Sequence, residues 1–453
     1  MFRRPVQELR LASRMMYALA LAAMVGACSD GTGPGGDVAT VTITQSEPVL
    51  APLESAIFTA QARDASGLVL NQVPVTWTTS AASIADVNSI GRVVAVSAGT
   101  VEITATAGGV SDTRTVTVAV NLRMPSVGSE LCGVDVAGIA FCGDFSDALE
   151  PVGHPAAFEG ISAGHGFACG IDASGIGICW GTNGDGELGR GTQDGEGTAQ
   201  PPAPVSGGLE FERIAAGSQH ACGLTTGGLA YCWGDNTWGQ LGNASTDRAL
   251  EPVPVLGGEQ YFDIDADFGI TCAIRIDGIA ACWGIGNLGN ASIHESHQPL
   301  AVSGGVPFVA ITVGPNHACA RTATGQVFCW GANNDGQVGT GTAGGVVDVP
   351  TAIGGTLRLA RIDAGDTQTC GLRGNGEAHC WGTGAIGIGT GTVVTVPTRV
   401  STELRFASIS AGEGRTCAAT TGGATYCWGE RFTAGGSPPD LLKPARIPLI
   451  GAP

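Results

Sequence analysis

The sequence predicts an all-β chain: a small β-sandwich followed by a closed array of seven repeated units of propeller type. Three observations carry this. Cysteines recur in pairs ten positions apart: Cys132 with Cys142, Cys169 with Cys179, Cys222 with Cys232, Cys272 with Cys282, Cys319 with Cys329, Cys370 with Cys380, and Cys417 with Cys427. The first members of successive pairs lie roughly fifty residues apart, the period of arrays whose units each hold several short strands. Ahead of them, residues 101–107 and 116–120 alternate apolar and polar side chains, the mark of strands with one buried face. Composition agrees: 73 glycines supply turns, while a hydrophobic content of 43% supplies packed strands.

Taken in order, the chain opens with arginines ahead of a short apolar run, Met15 to Val25, too short to span a bilayer and suited to a signal peptide. Val25-Gly-Ala-Cys28 resembles a bacterial lipobox, which makes residues 1–27 a lipoprotein signal peptide and Cys28 the acylated first residue. The alternative is an ordinary signal peptide cut near Ala27, leaving a free thiol. Cys28 is the one cysteine outside the seven pairs, at the position acylation uses. Ser29 beside it resembles lipoproteins sorted to the outer membrane. Residues 28–38 read as a flexible tether.

Residues 39–121 form the sandwich, with turn clusters at Asp64–Gly67, Ser89–Gly91 and Gly108-Gly109 between strands. Val75-Thr-Trp77, Ile84-Ala-Asp-Val87, Gly91-Arg-Val93 and Ala98-Gly-Thr100 resemble the group 2 bacterial immunoglobulin-like domain, which implies an Ig-like β-sandwich with Trp77 as its core tryptophan. Its expected role is a spacer, the alternative an adhesion module.

Residues 122–453 hold the array. Each unit reads as an apolar strand ending near Ala-Gly, two cysteine strands about a glycine turn, Trp-Gly, a polar loop, and a last strand near proline. In Cys222–Trp233, Cys222 and Leu224 share one face while Tyr231 and Trp233 take the other, so both faces are apolar, as in radially stacked blades. Trp180-Gly-Thr-Asn183-Gly-Asp-Gly186-Glu-Leu-Gly189, Trp233-Gly-Asp-Asn236-Thr-Trp-Gly239-Gln-Leu-Gly242 and Trp330-Gly-Ala-Asn333-Asn-Asp-Gly336-Gln-Val-Gly339 resemble the repeat of the regulator of chromosome condensation (RCC1) family. The resemblance implies a seven-bladed β-propeller, matching the seven cysteine pairs. Irregular end units fit a last blade completed by strands from both chain ends, with Ile447 or its neighbours closing it.

An exported chain meets an oxidising compartment, where regular even cysteines imply disulfides. Zinc is the rival, because His220 and His317 stand two residues before a cysteine. The other units place Glu130, Phe167, Ile270, Gln368 and Arg415 there, and no pair has zinc-knuckle spacing. The two histidines are then expected at strand edges with local hydrogen bonds. His294-Glu-Ser-His297 reads as a surface loop. Asn183–Glu187 and Asn333–Gly336 invite calcium but lack the alternating carboxylates of an EF-hand, and turn formation accounts for their Asn-Gly and Asp-Gly pairs.

No metal, cofactor or catalytic residue is expected. Gly-Lys-Ser/Thr phosphate loops are missing from the sequence, and no serine or cysteine stands in a pattern that a histidine would activate. A formal net charge of −18, with Lys443 the single lysine, excludes the basic stripe of a nucleic-acid binder. The leading expectation is a monomeric, lipid-anchored, non-enzymatic scaffold at the cell envelope that binds an unidentified protein through propeller loops. Arg190–Pro204 and Asp235–Trp238 are the candidate contact segments, with Asn236 and Trp238 as candidate binding-loop residues. Other readings are a β-lactamase inhibitor, as the resemblance to secreted bacterial propellers implies, and an envelope hydrolase or lyase. Nucleotide exchange, the RCC1 family's best-known activity, ranks last.

Overall fold

A computed structural model describes residues 37–45, 49–50, 55–96, 99–118, 121–143, 149–195, 198–291, 293–430 and 441–446. Cys28, the leader and Ile447 lie outside the described residues.

Among these residues every regular element is a strand. The N-terminal unit is a sandwich. Gly99–Ala107 and Val110–Val118 form its long hairpin, flanked by Thr76–Thr79 and, in parallel, by Val49–Leu50. Facing them are a sheet of Ser55–Ile57, Arg92–Ala95 and Ala85–Val87, and the pair Thr40–Ile43 and Ala60–Arg63. Val101, Ile103 and Ala105 point into the core while Glu102 points to solvent, as the alternation requires. Trp77 is not the centre of that core. Phe58 is fully buried there, and Trp77 packs edge-on against it, only partly buried, because Gly91 opens a slot for its ring at the margin.

The rest forms seven four-stranded antiparallel sheets, each from four consecutive strands. In the third blade these are Phe211–Ala216, His220–Thr225, Ala230–Gly234 and Ala249–Pro254. The two middle strands carry the cysteines directly opposite one another, Cys222 across from Cys232. The same register recurs in every blade and gives seven disulfides, each with its Cα atoms 4.1 Å apart. Cys132 is joined to Cys142, Cys169 to Cys179, Cys222 to Cys232 and Cys272 to Cys282. Cys319 is joined to Cys329, Cys370 to Cys380 and Cys417 to Cys427. Thirteen of these fourteen cysteines are buried, and Cys142, in the first blade, is half-buried at the end of its core. The cores lie between blades: Cys222, Leu224, Cys232 and Leu241 of the third blade pack on Tyr261, Ala273 and Trp283 of the fourth. Every outermost strand contains a proline, which removes a donor from an edge that would otherwise recruit another strand.

The ring does not close by mixing chain ends within one blade. The first blade (Met124–Val127, Leu131–Val134, Ala140–Gly143, Glu150–Pro151) and the last (Phe406–Ala411, Arg415–Thr420, Thr425–Gly429, Leu441–Arg446) are each contiguous in the chain. They join side by side instead. Leu122 N–H donates to Thr425 Oγ1 at 3.2 Å, Val127 N–H to Ser410 Oγ at 3.0 Å, and Ser408 Oγ to the Arg123 carbonyl at 3.0 Å.

That Ser410 contact is one of a ring. The residue just before the last alanine or valine of each inner strand receives a backbone N–H from the next blade: Ser126 from Ala163, Ser162 from Ala216, Asp265 from Val313, Thr312 from Ala364, Asp363 from Ala411, and Ser410 from Val127. The third blade has Ala215 there, which cannot accept. Asp265 covers the gap, one oxygen taking its own neighbour's Ala266 N–H while the other takes Val313 N–H.

Candidate functional site

The conspicuous motif residues build the loops. Asn183, Asn236 and Asn333 are buried, and each Oδ1 accepts the N–H five residues on, from Leu188, Leu241 and Val338. Asn236 Nδ2 also donates to the Ser245 and Asp247 carbonyls, tying the loop across its base. Asn236 is therefore corrected from a contact residue to a positioning residue, because its side chain presents nothing to solvent. Gln240 Oε1 accepts Trp238 N–H, while the Gln240 carbonyl accepts Trp283 Nε1–H of the next blade at 2.9 Å. Trp233 and Trp381 bond the Glu187 and Gln337 carbonyls in the same way. Gly189, Gly242 and Gly339 have positive φ, and a Cβ at any of them would meet the next tryptophan ring within 3.0 Å.

His220 and His317 are fully interior, and their partners lie in the next blade. Each Nε2 meets a threonine hydroxyl, Thr271 at 2.8 Å and Thr369 at 2.7 Å, which itself donates to the Gln240 or Gln337 carbonyl. With its hydrogen given away, each threonine accepts, which assigns the proton to Nε2. Burial pushes both imidazoles down to about 4. Gln368 does the same work in the sixth blade, donating to the Gly412 and Arg415 carbonyls of the seventh. His294–His297 lies on a strand, Ile293–Ala301, paired with Ala280–Asn290, with His294 and Glu295 exposed and Ser296 and His297 half-buried; it is not a loop.

One face of the ring is open at the axis. Loops joining first to second strands surround a cavity of about 530 Å³ lined by all seven blades. Six blades place glycine at the end of the inner strand, at Gly128, Gly164, Gly217, Gly314, Gly365 and Gly412, and the fourth places Asp267. The next position varies: Ser129, His165, Ser218, Phe268, Pro315, Asp366 and Glu413. The lining carboxylates are Asp265, Asp267, Asp363, Asp366 and Glu413, and among the described residues the lining includes no lysine or arginine. Desolvation raises Asp267 to about 7, with further push from Asp366 and Glu413, although Phe268 N–H and Ser218 Oγ donate to it. Burial takes Asp363 to about 6 and raises Asp265 well above the usual range. His165 Nδ1 meets Glu413 Oε1 at 2.7 Å across the mouth.

Beside the acids stand two aromatic rings. Phe268 is 55% exposed with φ of 36°, and Trp238 is 42% exposed. Trp238 leans toward Gly269 of the neighbouring blade, the residue after Phe268. Of the residues singled out from sequence, Trp238 comes nearest this mouth: it does not line the cavity but lies beside Gly269, the neighbour of the lining Phe268. Arg190 is turned back onto the Cys179 and Pro201 carbonyls. Sequence reasoning passed over Asp267 and Phe268, yet a signal existed: Ala266-Asp-Phe-Gly stands where the other units have glycine after the inner strand.

Comparison with known proteins agrees with this architecture. Two models of the regulator of chromosome condensation (RCC1) repeat match, one at residues 211–240 and 308–337, the other at 227–265 and 324–372. The bacterial Ig-like domain (group 2) matches residues 37–118. The probable E3 ubiquitin-protein ligase HERC4 of Homo sapiens is 40% identical over 72 residues, 16% of this chain and 7% of that protein. The mitochondrial RCC1 domain-containing protein RUG3 of Arabidopsis thaliana is 36% identical over 85 residues, 19% of each. The chain thus aligns with only a small part of these curated relatives. The crystal structure of human WBSCR16 superposes with a TM-score of 0.59 at 20% identity, covering 66% of this chain and 84% of that one. Prp20p of Saccharomyces cerevisiae superposes at 0.56 and 19% identity, covering 64% and 80%. The chain carries RCC1 repeats folded as a propeller, preceded by a group 2 bacterial Ig-like domain.

Proposed function

We propose that this chain is an exported, lipid-anchored, disulfide-stapled scaffold that binds another protein through the open mouth of its propeller. The supporting observation is the pair Trp238 and Phe268, two large exposed aromatic side chains on adjoining blades, Phe268 lining the axial cavity and Trp238 lying beside its neighbour Gly269. Exposed aromatic anchors beside a concave site are the usual seat of binding energy at protein interfaces. Geometry favours the same face. The chain enters the propeller at Asn121–Leu122, beside Gly423 in a turn between second and third strands. Those turns lie at the end of the blades opposite the mouth, so the tether leaves the mouth free.

Export accounts for the sulfur chemistry: seven bridges form and persist in an oxidising compartment. In this reading residues 1–27 are the leader, Cys28 bears the lipid, 28–38 is the tether, 39–121 lifts the propeller off the membrane, and 122–453 binds. A propeller of the same fold, Prp20p, is described by its binding to Gsp1p and histones, so partner recognition is a use to which this scaffold is put. The test is retention of a discrete envelope protein by the full chain. The double variant Trp238→Ala, Phe268→Ala should lower retention about tenfold with unchanged melting. Equal retention by variant and wild type would remove the mouth from consideration.

A further inference from the structure

The mouth couples an apolar rim to one sign of charge. Asp265 and Asp363 are committed to holding the N–H groups of Val313 and Ala411. That leaves Asp366, the second oxygen of Asp267, whose Oδ1 takes Phe268 N–H and Ser218 Oγ, and Glu413, which meets His165, the one basic side chain among the described residues of the lining. Asp267 occupies a position where every other blade has glycine, so the repeat does not need its carboxylate there. Mutual repulsion across the ring is relieved by bringing in positive charge, and the cavity is of the size that takes a side chain or short segment rather than a folded domain. Cationic head groups also gain from the faces of Trp238 and Phe268. A bare metal ion would leave that exposed apolar area uncovered.

We propose that the occupant of this mouth is an extended, lysine- or arginine-bearing segment of the partner protein. Its cationic head group lies among Asp267, Asp366 and Glu413, and its apolar neighbours lie on Trp238 and Phe268. The proposal rests on the reading of this face as a docking surface and adds the chemistry of what docks.

The experiment titrates the full chain with two fluorescein-labelled peptides of equal length and leucine content, one lysine-rich and one glutamate-rich, and follows anisotropy at physiological salt. The lysine peptide should bind at least about tenfold tighter. Asp366→Asn with Glu413→Gln should weaken it about tenfold and flatten its salt dependence. A charge-matched control on the opposite face, Glu212→Gln with Glu259→Gln, both exposed, should change affinity less than about twofold. Equal loss in that control, or equal binding of the glutamate peptide, overturns the cationic occupant. If Trp238→Ala with Phe268→Ala still weakens both peptides, the docking face survives and only its proposed charge preference falls. If that variant changes nothing, the face itself is wrong.

Discussion

Replacing His220 and His317 by glutamine should make the protein relatively more stable in acid. Glutamine already occupies the equivalent place in the sixth blade, where Gln368 bonds the next blade, so the substitution keeps a donor in a site that accommodates it. Both imidazoles are held near 4 against an ordinary value of 6.5. Unfolded, they take up protons as pH falls below 6.5; folded, they do not until about 4. The unfolded state therefore binds more protons in that window, and each histidine costs stability progressively, reaching about 3 kcal/mol at its lower end. Asp267 and Asp363 work the other way. Raised to about 7 and about 6 from 3.8, they bind protons in the folded state first, so stability grows as pH falls through those values. In the wild type the two slopes oppose. Removing the histidines leaves the carboxylates alone. Between about pH 7.5 and about pH 4.5 the double variant should gain roughly 5 kcal/mol relative to wild type. Guanidinium unfolding followed by tryptophan fluorescence, with bridges intact, reads this directly. Parallel stability curves for the two proteins across that window would refute the reasoning.

Other outcomes follow from the same contacts. Gly242→Ala should destabilise by about 2–3 kcal/mol, because its Cβ would meet Trp283 within 3.0 Å at a positive φ; the melting curve reports it. Ser410→Ala orphans the Val127 N–H at the seam between last and first blades, costing about 1–3 kcal/mol; amide exchange at Val127 should accelerate before that of the other inner strands. Replacing Cys222 and Cys232 by serine should cost about 2–3 kcal/mol. Unreduced peptide mapping of the parent should return each first cysteine joined to the one ten positions on, and any bridge between different hairpins would contradict the register.

What the sequence disclosed, and what it withheld, divide along the range of the interactions. Cysteine spacing and the Gly-Gly turn in 222–232 fix a hairpin locally, and repetition fixes that seven such hairpins stack. The alternation of Val101, Ile103 and Ala105 likewise assigns a buried face without knowledge of its partner. Ring closure was not legible, because the partner of Val127 is Ser410, separated by nearly the whole array and marked by no local pattern. His220 looked like a strand-edge residue for the same reason: the threonine that accepts its hydrogen belongs to another blade. Asn236 misled in the opposite direction. A polar residue in a polar loop reads as exposed, yet this amide replaces the backbone partners that a tight loop cannot find for itself.

The residues that make the repeat recognisable are therefore the ones least free to bind anything. Asn236 is spent on tying its own loop, and Gln240, Gly242 and Trp283 on holding one blade to the next, so changing any of them would unseat a buried neighbour. Recognition has to be written where the repeat makes no demand, at the position after the inner strand and in the loop that follows Trp-Gly. Phe268, Asp366 and Glu413 occupy the first of these and Trp238 the second, while Asp267 departs from the glycine that the other six blades keep at the end of the inner strand. Bridged hairpins and the cores between blades hold the ring without help from these side chains, so the carboxylates can be kept close together at the mouth even though their mutual repulsion opposes folding. A rigid scaffold that tolerates such a cluster can leave its relief to an incoming partner, and that relief is then available as binding energy.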